Sequence, residues 1–260
     1  MFANQPLVHY GNIMIKTTSR LPRRFSRSGN LLTVGLLGFL LAVALKASVL
    51  QAATDPVICT WKNDAKAALS FTFDDGTIDH FTLAAPMLEK YGLRGTFFVV
   101  INTIGKGNRL TWEQVKSLAE RGHEIGNHSL RHWNLVTLSN KGDLANLEKE
   151  IVEPIGIIQE KIGVAPVTFA YPLNARNPQV QAMVEQHHIA SRLHDMGYDG
   201  TKFNLERANL KIDSLIAKGG NGVVLIHGID PAVKGYKPFN DPALLDQYER
   251  RCEHVAGVAG

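Results

Sequence analysis

Ala67-Ala-Leu-Ser-Phe-Thr-Phe73, closed by Asp74-Asp-Gly76, is the stretch on which the fold turns. A short apolar run that ends in a turn trio reads as a buried strand, the kind found in parallel sheets covered by helices. The chain on either side of it supplies the alternation such a sheet needs. Residues 81–91 have helical spacing and stop at Gly92, and Gly95-Thr-Phe-Phe-Val-Val-Ile101 is the clearest strand of all. Thr111-Trp-Glu-Gln114 fits a capping box and opens a helix that ends near Gly122. Strands are expected at 123–127, 167–171, 189–192 and 222–227, and helices at 141–162, 177–187, 210–218 and 241–255. Strands separated by helices of about ten residues or more predict one α/β domain with a parallel sheet, open or barrel-like.

The composition narrows the function. Of 260 residues 45% are apolar and 20% charged, which fits a globular chain and excludes a disordered one. The formal charge of +4 invites a nucleic-acid reading until it is located. Residues 1–54 carry six bases and no acid, so the other 206 residues carry 22 bases against 24 acids, a net of −2. Polyanion binding by the folded part therefore has no electrostatic footprint. Two cysteines, Cys59 and Cys252, are too few for a disulfide framework or a four-thiolate zinc site.

The first 53 residues read as an address. The basic run Arg20-Leu-Pro-Arg-Arg-Phe-Ser-Arg27 precedes an apolar stretch from Leu31 to Leu50 that is interrupted only by Lys46, with small residues after it. That is the order of a secretory signal. Leu31 to Leu50 is also just long enough to span a bilayer and remain as an anchor, and a buried core helix is the third alternative. Signal and anchor both put residues 54–260 outside the cytoplasm, where a Cys59–Cys252 bridge is permitted and two free thiols are equally compatible.

Chemistry in parallel α/β proteins gathers at the carboxyl ends of the strands. Phe71-Thr-Phe-Asp-Asp-Gly76 puts two carboxylates at such an end, where they repel unless a cation or proton lies between them. His128-Ser-Leu-Arg-His132 sets two imidazoles four apart, one face of a helical turn, as metal ligation often requires. Val223-Val-Leu-Ile-His-Gly228 ends a third strand on a histidine. Each feature alone is ordinary turn, surface or core chemistry. Together, on separate strand ends, they point to a metal-dependent hydrolase with three protein ligands and an open position.

In this order and at these separations the motifs resemble the polysaccharide deacetylase family, carbohydrate esterase family 4, which shares the NodB-type domain. The resemblance spans about 57–230. It implies a distorted (β/α) barrel and one divalent metal, usually zinc, held by Asp75, His128 and His132. It further implies Asp74 as general base, His227 as general acid, Leu225 in the pocket for the acetyl methyl, and an oxyanion site on the Leu173 N–H in the segment that includes Tyr171. The partner it implies is an acetylated polysaccharide or oligosaccharide, deacetylated at nitrogen. An O-acetyl esterase and a catalytically weak carbohydrate-binding relative are the rivals.

Three departures stand out. In Phe169-Ala-Tyr-Pro-Leu173, Ala170 occupies the place of an arginine that in the family orients the base, and Leu173 that of an aromatic, so the base is expected to lack its usual partner. The aspartate that pairs with the acid histidine is not recognisable, with Asp195, Asp199 and Asp213 as candidates. Relatives usually have one more strand and helix after the region that matches 245–255, so a shortened C-terminal end with an open barrel seam is expected. Trp61, Trp112, Trp133, Tyr198 and Tyr236 are candidate sugar-stacking residues, and Arg192 and Asn174 candidate groove residues.

Overall fold

The computed structural model describes residues 61, 65, 67–193, 196–197, 204–230 and 243–259. The segment Leu31 to Leu50, Cys59, Asp195, Tyr198, Asp199 and Tyr236 lie outside them. Nearly all described residues fall in one compact unit, 65–260.

Among the described residues seven strands form a single sheet: β1 Ala67–Phe73, β2 Gly95–Val99, β3 Glu124–Asn127, β4 Thr168–Ala170, β5 Ala190–Arg192, β6 Met196–Gly197 and β7 Gly220–Ile226. Their order is β5-β4-β3-β2-β1-β7-β6 and every pair is parallel. Laid flat, such a sheet would hold its edges about 29 Å apart, six spacings of about 4.8 Å. Yet the edge strands β5 and β6 are consecutive in the chain, and Arg192 and Met196 lie no more than about 14 Å apart at full extension. The sheet must curl back on itself, which makes it the distorted, nearly closed barrel that was expected.

Among the described residues seven α-helices cover the outside: α1 Ala85–Lys90, α2 Trp112–Glu120, α3 Leu135–Asn140, α4 Leu144–Ile162, α5 Pro178–His187, α6 Leu205–Lys218 and α7 Ala243–Ala259. The predicted capping box on α2 is present: Thr111 Oγ1 accepts from Gln114 N, and Gln114 Oε1 accepts from Thr111 N. The helix expected at 81–91 opens with a π-helical turn, His80–Ala84, before α1. The long helix starts at Leu144, because Gly142 turns at φ 71° and Asp143 caps the new N-terminus, and α3 precedes it.

Alternation along the strands sorts the two faces. Phe71, Phe73, Phe97, Val99, Val224 and Ile226 point outward and form the main core with Leu88, Leu118, Ile158 and Tyr248. Thr72, Phe98, Gly126, Ala170, Arg192 and Leu225 therefore line the barrel interior. Phe98 is its floor: a Cβ on Gly126 would lie 2.3 Å from the Phe98 ring, so only glycine lets the ring lie there. Tyr171, out of phase with Ala170, packs on Phe169 in a second core under α3, α4 and α5. Cys252 is a buried free thiol, and burial pushes its pKa up to about 12. Among the described residues no helix is long and apolar enough to cross a membrane.

Candidate functional site

The β1 ladder runs one residue past the strand, with Asp74 N donating to Ile226 O at 2.9 Å, and then the chain turns. Asp75 takes the left-handed conformation, φ 76°, and its carbonyl is held by Arg109 Nη1 at 2.8 Å. Among the described residues four other non-glycine residues have positive φ: Ser129, His132, Leu173 and Asn174. All five lie in the turns that carry the predicted site. At about 1–2 kcal/mol each for L-residues, this strain needs external support.

The support is visible around the histidines. His128 and His132 do not share a face of a helical turn, as the spacing predicted; left-handed residues at Ser129 and His132 bend the segment into a loop instead. Asn127 Oδ1 accepts from Ser129 N at 2.8 Å, and Ser129 Oγ accepts from His132 N at 2.9 Å. From α4, the fully buried Glu150 accepts from Arg131 N at 2.9 Å and ion-pairs with the Arg131 guanidinium. That guanidinium lies 3.5 Å from the centre of the exposed Trp133 ring.

The loop brings both imidazoles to Asp75. Asp75 Oδ1 lies 3.5 Å from His128 Nε2 and 3.4 Å from His132 Nε2. A tetrahedral ion with ligand bonds of 2.0–2.1 Å has ligands about 3.3 Å apart along each edge, so these separations fit zinc. The donor set, one carboxylate and two imidazoles, is also that of a divalent-metal site. His128 Nδ1 donates to Ala170 O at 2.8 Å, which fixes the tautomer with Nε2 turned to the centre. Burial works to raise the Asp75 carboxyl, but the His128 hydrogen bond and the charges of His128, His132 and His227 hold it well below the usual carboxylate range. Burial, and then the charge of His128, lowers the His132 pKa.

Asp74 lies beside this cluster, its Oδ2 3.7 Å from His128 Nε2. The expectation that it lacks a cationic partner is overturned. Arg192, at the end of β5, ion-pairs with Asp74 Oδ2, and both side chains are buried. Asp74 Oδ1 is buried without a hydrogen-bond partner.

On the neighbouring strand end, β7 delivers the half-buried His227. Its carbonyl is gripped by His80 Nε2 and, at 3.5 Å, by Thr77 Oγ1. The fully buried Asp79 accepts from Ile229 N at 2.5 Å and Asp230 N at 3.0 Å. The turn that carries Asp74 and Asp75 thus also clamps the loop that carries His227. Of its candidate partners, Asp213 belongs elsewhere, paired with His254 at 2.8 Å between α6 and α7. Leu225 is buried beside Thr72 in register. Leu173 is 64% exposed at the tip of a turn whose next two amides, Asn174 N and Ala175 N, are taken by Tyr171 O and Pro172 O. The Tyr171 side chain serves the core, so only its backbone belongs to this turn.

One buried histidine carries a testable consequence. His188 Nδ1 donates to Val184 O at 3.3 Å, and its Nε2 accepts from Asn127 Nδ2 at 3.1 Å, next to the loop of residues 128–132. Burial lowers its pKa from 6.5 to about 4. The folded state holds it neutral while the unfolded chain protonates at 6.5, so its contribution is intact above pH 6.5 and is lost as pH falls toward 4. The full loss is about 3 kcal/mol. Urea unfolding of wild type and His188→Gln should show the wild-type advantage shrinking by most of that amount between pH 7 and 4.5; a constant difference would refute it.

A nearly closed parallel barrel with an Asp-His-His donor set on its carboxyl edge defines a class, the (β/α)-barrel proteins with a candidate metal site at the strand ends. The polysaccharide deacetylase family model matches residues 62–191, half of the chain, and the chain belongs to that family. It is 28% identical over 215 residues to chitin deacetylase 1 of Cryptococcus neoformans, covering 78% of this chain and 41% of that one. It is 25% identical over 163 residues to the peptidoglycan-N-acetylglucosamine deacetylase PgdA of Listeria monocytogenes, covering 62% and 32%. The chain spans less than half the length of these curated relatives. A family 4 carbohydrate esterase from Streptomyces lividans, solved in complex with acetate, shares the fold: TM-score 0.54, 20% identity, 74% of this chain and 88% of that one.

Proposed function

We propose that the domain is a zinc-dependent hydrolase that removes acetyl groups from N-acetylated sugars of a polysaccharide or cell-wall glycan. The observation that carries this is the convergence of Asp75, His128 and His132 at zinc-edge spacing beside a buried carboxylate with one uncommitted oxygen. Family membership and relatives that act on chitin or peptidoglycan support the substrate class. The basic and apolar N-terminus supports export, as a cleaved signal or a membrane anchor.

Asp75, His128 and His132 would hold the ion. When bound, zinc polarises a carbonyl and lowers the pKa of water. Asp74 Oδ1 accepts the proton of the attacking water, while Arg192 keeps the other oxygen occupied. The Leu173 N–H donates to the oxyanion that forms on the acetyl carbonyl. His227, at the end of β7, gives its proton to the departing nitrogen. Leu225 contributes apolar wall for the acetyl methyl.

The test is acetate release from N-acetylglucosamine oligomers, peptidoglycan and acetylxylan, with and without chelator. Release from an N-acetylated glycan, abolished by chelator and restored by zinc, is expected. Faster release from acetylxylan would make the enzyme an O-acetyl esterase. Stoichiometric zinc with no acetate from any glycan would leave a carbohydrate-binding relative.

A further inference from the structure

The guanidinium on Asp74 reaches it from a distant strand. In the sheet order β5 lies four strands from β1, and only the curl of the barrel brings Arg192 to Asp74. Burying a guanidinium costs several kcal/mol unless its charge is matched, so this side chain is not there to fill space. It lies over the Phe98 floor, 5.5 Å from the ring centre, and Nη2 donates to one Asp74 oxygen while Nε has no partner. A carboxylate tied through one oxygen has a fixed plane, and its second oxygen becomes the acceptor left for a proton.

The register shows why β5 can supply this group. Ala170 of β4 is the direct partner of Arg192, and in a parallel pair both side chains leave the same face. Ala170 is fully buried, and its methyl leaves room for the Arg192 stem beside it. We propose that Arg192 is the positioning residue for Asp74, and that the small side chain of its register partner Ala170 on β4 is what lets the guanidinium lie along the barrel interior to reach it. The proposal rests on the deacetylase reading, in which Asp74 is the base.

Three full-length proteins test it: wild type, Arg192→Ala and Arg192→Lys. Kinetics on an N-acetylglucosamine tetramer, zinc affinity by dye competition and a crystal structure are obtained for each. A misplaced catalytic group costs about 10²-fold, so Arg192→Ala should lose about that much in kcat, with KM and zinc affinity nearly unchanged. Arg192→Lys should recover part of the loss. The Arg192→Ala crystal should show the Asp74 carboxylate rotated. A kcat within about threefold of wild type, or a loss that falls equally on zinc affinity and is not partly recovered by lysine, would overturn the proposal. If Arg192→Ala does not fold, the lysine variant decides. If wild type releases no acetate, the deacetylase reading fails, and an unrotated Asp74 in the variant crystals overturns the positioning role separately.

Discussion

His132→Ala is expected to abolish acetate release and to weaken zinc binding by more than 100-fold, while the domain stays folded. Loss of a mere outer partner of a metal ligand costs about 10–100-fold, and loss of one of three ligands must exceed that. The structure makes His132 the better probe of the pair. Its side chain is 29% exposed, and its removal leaves no buried hydrogen bond broken. His128 is nearly inaccessible and also donates to Ala170 O, so His128→Ala combines loss of a ligand with loss of a structural tie. Both variants should lose activity and metal, but only His128→Ala should lower the melting temperature appreciably. Full activity of His132→Ala with unchanged zinc content would refute the ligand assignment.

The difference between these two histidines marks what local sequence can and cannot show. Residue types at the ends of apolar runs were enough to place Asp74, Asp75, His128, His132 and His227 on one edge, because strand ends in a parallel sheet all face the same way. The main strands were legible for the same reason: β1, β2 and β7 are long enough for their apolar character to stand out, whereas the two residues of β6 are too few to leave a period. The loop conformation of 128–132 was not legible. Spacing of four is compatible with a helical turn, and what excludes it is Asn127 and Glu150 reaching in from the side. The outward direction of Tyr171 was available from alternation, once Ala170 is assigned to the interior. Arg192 was the least accessible, since its contact with Asp74 spans 118 positions and depends on barrel closure. Its one trace in sequence is an arginine ending a short strand, beside a motif that lacks its expected charge.

Asp74→Asn is expected to slow acetate release by about 10²–10⁴, the range for loss of a general base, with most zinc affinity retained. Arg192 adds a second consequence. Asparagine keeps the shape but leaves a buried guanidinium without its counter-charge, and breaking a buried pair on one side costs about 3–5 kcal/mol. A fall in rate could then be mistaken for a fall in folded protein. The double variant Asp74→Asn/Arg192→Met separates the two: it removes both charges, should regain most of the stability in urea unfolding, and should stay as slow as Asp74→Asn. His227→Ala completes the pair. The expelled amine of an amide must be protonated and an activated phenolate need not be, so this variant should lose far more on an N-acetyl sugar than on a nitrophenyl acetate. Asp74→Asn should depress both substrates, because both need the attacking water deprotonated. Equal losses on amide and ester for His227→Ala would show that His227 orients the substrate and does not donate the proton. Recovery of rate in the Asp74→Asn/Arg192→Met protein would show that Asp74 serves the fold and not the reaction.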